Sequence, residues 1–101
     1  KGGKKYSRII QLTDEQIVFG LSNIVNPFRN ELSFEVITTS NAKIDVSLIE
    51  LFGKKVKTKS FTVYSGINGL SIVNTEGLTP GIYILQVKNK DIVINNKVVK
   101  K

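Results

Sequence analysis

Apolar side chains recur at every second position through most of this chain, and few folds can accommodate that rhythm. In Leu32-Ser33-Phe34-Glu35-Val36-Ile37 they fall at 32, 34 and 36; in Lys43–Leu48, Ile44, Val46 and Leu48 alternate with Lys43, Asp45 and Ser47. Neighbouring side chains on a strand point to opposite faces, so each segment offers one row to a core and the other to water. β-Branched and aromatic residues are abundant, and no 3.6-residue stripe of helical length runs through the sequence. Asp14-Glu15-Gln16 after Thr13 suggests a helical turn at most, because Gly20 follows too soon for a longer helix.

The expected strands are Tyr6–Leu12, Ile17–Leu21, Leu32–Ile37, Lys43–Leu51, Lys55–Tyr64, Gly69–Val73, Gly81–Lys88 and Ile92–Val99. Turn residues separate them. Asn26-Pro27 breaks one strand from the next, and Ser40-Asn41 is a short loop. Phe52-Gly53 reads as a tight hairpin in which Gly53 adopts a backbone conformation that a side chain resists. Thr79-Pro80-Gly81 is another turn, and Asn89-Lys90 joins the last two strands. Short strands at roughly 8–12-residue spacing point to a sandwich or barrel. At 101 residues, the expected fold is all-β, an immunoglobulin-like antiparallel β-sandwich of about seven strands. Residues 1–22 carry strands of their own but precede the Asn26-Pro27 break. They are expected to be an upstream strand or linker from the preceding part of a larger protein, with residues 23–101 forming the domain proper.

Composition narrows the chemistry. The chain has no cysteine, so it has no disulfide, no thiolate metal site and no cysteine nucleophile. It has no histidine, the usual base at neutral pH and the commonest metal ligand. Asp14, Glu15, Glu31, Glu35, Asp45, Glu50, Glu76 and Asp91 are expected at scattered outward strand positions and loops, and a sandwich of this size has little room for a cleft with two of them held across it. Serines such as Ser33 and Ser47 have no base to activate them, and no dense Asp/Asn loop of the calcium-binding kind occurs. The expectation is a protein that is not an enzyme and needs no cofactor or metal.

The net charge is +7, which invites an acidic partner. Lys54, Lys55, Lys57 and Lys59 cluster near Phe52, Phe61 and Tyr64, a combination that would suit single-stranded nucleic acid. However, Lys55, Lys57 and Lys59 share a parity and are expected to line the outer row of one strand, as edge strands use lysine to block pairing. Neither a nucleic-acid partner nor a small-molecule substrate is therefore expected. Lys1–Lys5 is polar with no long apolar run after it, so these residues are not expected to hold a signal peptide. The apolar runs are of strand length, well short of the about 20 residues of a membrane-crossing helix.

The punctuation is more specific in order than in pieces. Asn26-Pro27-Phe28 opens the main block, and an alternating strand runs into Leu51-Phe52-Gly53-Lys54-Lys55-Val56. Ser65-Gly66-Ile67-Asn68 follows, then Leu78-Thr79-Pro80-Gly81-Ile82-Tyr83-Ile84-Leu85-Gln86-Val87, and the chain closes on Asn96-Lys97-Val98-Val99-Lys100-Lys101. This arrangement resembles the type A C-terminal sorting domain of the type IX secretion system of the Bacteroidota, from about Ser22 to Lys101. Two departures are conservative: Val25-Asn26-Pro27 stands where the family often has Pro-Asn-Pro, and Glu50 where it often has Asp or Asn. Lys5-Tyr6-Ser7-Arg8-Ile9-Ile10 looks like the closing strand often found just upstream of such domains.

The resemblance implies a sandwich at the end of a larger secreted protein. The cargo would reach the periplasm by an ordinary signal peptide and leave through the outer-membrane type IX translocon for the cell surface or beyond. Its implied partners are the translocon, the outer-membrane barrel shuttle protein that receives the C-terminus, and a surface sortase that usually removes the domain. Lys97, Val98, Val99, Lys100 and Lys101 are then the expected receptor contacts, with the valines entering an apolar groove, the lysines meeting acidic groups, and extended backbone adding strand-like hydrogen bonds. Asn26, Pro27, Gly53, Lys54, Gly66, Asn68, Pro80, Gly81 and Tyr83 are the motif positions, with structural roles expected at most of them. The rival reading is an immunoglobulin-like adhesion or carbohydrate-binding module that uses exposed aromatics such as Phe52 or Tyr64, or a plain structural spacer.

Overall fold

The structure is a computed structural model that describes residues 8–12 and 17–101. Eight strands are present among the described residues: β1 (Arg8–Leu12), β2 (Ile17–Ser22), β3 (Glu31–Thr38), β4 (Ala42–Glu50), β5 (Lys55–Val63), β6 (Gly66–Val73), β7 (Gly81–Asn89) and β8 (Ile92–Lys100). They form two four-stranded sheets, ordered β1-β2-β3-β6 and β5-β4-β7-β8, in which every strand pair is antiparallel. The expected sandwich is therefore present, with β1 as an additional edge strand. Tyr6, Ser7 and the turn expected at Asp14-Glu15-Gln16 lie outside the described residues.

The alternating rows meet between the sheets. Leu32, Phe34 and Val36 of β3 and Ile44, Val46 and Leu48 of β4 are buried. Leu85 and Val87 of β7 and Ile94 and Val98 of β8 join them in one cluster. β2 contributes Phe19 and Leu21, both fully excluded from solvent. It pairs with β3 from Phe19↔Thr38 to Ser22↔Glu35, and Val18 exchanges bonds with Thr39 through its N–H and carbonyl. Thus a strand that precedes the Asn26-Pro27 break supplies part of the core.

Two expectations change. First, Lys57 and Lys59 do not lie on the outer row. They stand opposite Leu48 and Val46, and directly opposed residues share a face, so both lysines belong to the inner row of an edge strand. A register shift between Leu48 and Ile49 sets Lys55 apart, opposite Ile49. The inward row ends in Phe61 and Val63, and the Lys59 ammonium lies 5.2 Å from the Phe61 ring centroid. Second, β6 begins at Gly66 and not at Gly69, because Asn68 closes the preceding turn so tightly that pairing with β3 starts at once. Its side chain accepts from Tyr64 N–H (2.9 Å) and donates to the Tyr64 carbonyl (2.8 Å).

Candidate recognition site at the C-terminal strand

β8 is the last strand of its sheet and pairs with β7 from Asn89↔Ile92 to Gly81↔Lys100. Alternation divides the five candidate contact residues. Lys97, Val99 and Lys101 are exposed. Val98 has no exposed surface and belongs to the core. Lys100 is 6% exposed, and its ammonium donates to the Lys101 carbonyl at 2.8 Å. Val98 therefore cannot reach a receptor groove while β8 stays in its sheet, and the outward set is two lysines around one valine.

The outer edge of β8 is occupied at this end. Val99 N–H donates to Asn26 Oδ1 at 2.7 Å. Phe28 N–H donates to the Val99 carbonyl at 2.9 Å, and Lys101 N–H to the Phe28 carbonyl at 2.8 Å. Phe28 and Lys100 form a parallel bridge. The Asn26–Pro27 peptide is cis, and Phe28, 2% exposed, meets the Tyr83 ring edge-on with centroids 6.4 Å apart. Asn26-Pro27-Phe28 thus serves as a clasp on the end of the chain as well as a break before β3. Between Val99 and Lys101 the outward backbone groups are already bonded, which leaves the side chains as the accessible features.

The remaining motif positions shape the same end of the sandwich, except for Gly66 and Asn68. At the β4–β5 hairpin, Gly53 N–H donates to the Glu50 carbonyl and Glu50 N–H to the Lys54 carbonyl, both at 2.9 Å. Gly53 has φ +96° with open space where a Cβ would be, so its requirement is conformational. Pro80 precedes Gly81, whose φ is +150°. The Tyr83 hydroxyl donates to the Thr79 carbonyl at 2.6 Å, tying that turn to the core. Because Glu50 faces Tyr83 and Gly81 faces Lys100 in register, the hairpin, the turn and the chain end adjoin. Gly66 and Asn68 lie at the opposite end, beside Thr38 and Val36.

Phe28 and Thr75 are structural residues that pattern reading did not single out. Thr75 is fully buried, its hydroxyl donating to the Arg29 carbonyl at 2.6 Å and its N–H to the Asn30 carbonyl at 3.1 Å. It sits in an aperiodic loop, where alternation offers no signal. For Phe28 the signal was an apolar side chain immediately after a turn dipeptide.

A family model described as the secretion system C-terminal sorting domain matches residues 26–101. No curated protein matches the chain.

Proposed function

Because the chain belongs to the family of type IX secretion C-terminal sorting domains, we propose that the export machinery recognises it by the outward side chains at the end of β8. The sorting role and delivery to the cell surface or extracellular space follow from the family. Recognition is by Lys97, Val99 and Lys101, with Val98, Lys100 and the Asn26–Phe28 clasp holding them in place. The observation that supports this is the alternation itself: two cations flank one apolar side chain on a strand whose inner row is locked into the core. The partner is the outer-membrane barrel protein that receives the C-terminus during passage from the periplasm, and a surface sortase afterwards separates the domain from its cargo. The domain itself contributes no catalytic group.

Residues 23–101 carry the signal, and β1 and β2 come from the cargo side. Nevertheless, β2 completes the sandwich, so the exported folded unit starts upstream of residue 26. The adhesion reading gains nothing from the geometry. Phe52 and Tyr64 are both exposed, but they lie at opposite ends of β5 and cannot form one aromatic platform.

The test is a fluorescent protein fused to residues 1–101, given a periplasmic signal, in a bacterium with this secretion system. Surface or medium fluorescence is expected, with loss in a translocon mutant. The pair Lys97→Glu and Lys101→Glu is expected to strand the folded fusion in the periplasm. Deleting the last five residues is a poorer probe, because it also takes Val98 from the core. Export that survives the double charge reversal rules out recognition by this strand, whereas a parent fusion that stays in the periplasm rules out sorting.

A further inference from the structure

Charge is unevenly divided between the two sheets. The strands of the β5-β4-β7-β8 sheet carry seven lysines against Asp45 and Glu50, whereas those of the other sheet carry Arg8 against Glu31 and Glu35. At one end of the basic sheet the chain turns through Leu51-Phe52-Gly53-Lys54. Phe52 is 95% exposed and Leu51 65%. The two hairpin bonds between Glu50, Gly53 and Lys54 fix this tip, so its apolar side chains are held out in water by an ordered backbone.

The tip does not stand alone. Leu51, Phe52, Pro80 and Ile82 line one shallow depression. Ile82 is paired across the strands with Val99, and both are more than a third exposed. Lys54, Lys55, Lys97 and Lys101 are exposed at the same end. Glu50, half-buried at the base of the hairpin, is the acid of the tip. An apolar projection with exposed lysines on the strands to either side of it matches the layering of an anionic bilayer surface, with phosphates outside and acyl chains beneath. A convex tip needs no preformed pocket in a fluid interface, whereas an acidic protein would need one shaped to receive Phe52.

We propose that this end of the basic sheet docks on an anionic lipid surface, with Phe52 and Leu51 entering the boundary between headgroups and acyl chains and the four lysines meeting lipid phosphate. The site stands on exposure and charge and goes beyond the sorting role. Lys97 and Lys101 are common to both sites, but Phe52 and Leu51 take no part in the recognition assigned to β8, so loss of lipid docking through Leu51 and Phe52 does not entail loss of sorting.

The chain has no tryptophan, so Phe52→Trp gives a single reporter at the tip. With vesicles of phosphatidylglycerol and phosphatidylcholine in equal parts, its emission is expected to shift to the blue and become shielded from an aqueous quencher. Pure phosphatidylcholine vesicles are expected to leave it unchanged. In co-sedimentation of the 1–101 chain, binding to the mixed vesicles should fall with added salt and weaken about tenfold or more for Leu51→Ser with Phe52→Ser. Both substitutions are at exposed positions, and an unchanged thermal melt shows that the fold is retained. An unshifted tryptophan in the presence of mixed vesicles overturns the proposal. So does binding to mixed vesicles that ignores Leu51→Ser with Phe52→Ser, since the lysines then read charge alone.

Discussion

Asn26 accepts a hydrogen bond from a residue 73 positions further along the chain. A turn dipeptide is legible in sequence as a break, but the partner of its side chain is not, because nothing local encodes contact with Val99. Asn26→Ala removes the acceptor and is expected to cost about 1 kcal/mol in urea denaturation, with faster amide exchange at Val99. Asn26→Asp keeps an acceptor oxygen and should retain most of the protection. Gly53 is the contrasting case, since its positive φ was foreseeable from the hairpin's brevity. Gly53→Val is expected to cost about 1–3 kcal/mol in the same assay. An unchanged midpoint would mean that the tip relaxes into another turn.

Strands were the most legible elements, because a period of two leaves little choice over eight or nine residues. Orientation was less so. Parity groups Lys57 and Lys59 but does not say whether their row faces in, and the clue lay further on, where Phe61 and Val63 continue the same row into the core. On an edge strand, inward lysines oppose pairing with another chain. Lys57→Val with Lys59→Val is therefore expected to raise light scattering at high concentration without lowering the melting temperature. β2 was recognised as a strand, yet its place in the core was hidden by the intervening Asn26-Pro27 break. Leu21→Ala is expected to cost about 2–5 kcal/mol, a loss normally associated with the middle of a domain. Removing residues 1–22 should cost more, because Phe19 goes with Leu21; a 23–101 chain as stable as the parent would show that the remaining strands close without them.

In the whole molecule, the candidate site was half legible. Sequence identified a basic, β-branched chain end, and alternation alone could have separated Lys97 and Val99 from Val98. It could not show that Asn26 and Phe28 take up the outer edge of that strand, nor that hairpin, turn and chain end adjoin, since those contacts join residues far apart in sequence. The gathering of lysine on one sheet was equally invisible, because it depends on which strands become neighbours. That gathering has a consequence of its own. Stacked sheets lie about 10 Å apart, close to one Debye length at physiological salt, so the two faces of the protein sit at distinct potentials near a charged wall. Among the described residues, the charges borne by the strands form an electric dipole across the sandwich, and that dipole exerts a torque before any atom touches. An approaching domain is turned lysine-first by the field of a negative surface, and salt erases that alignment before it dissolves any bound state.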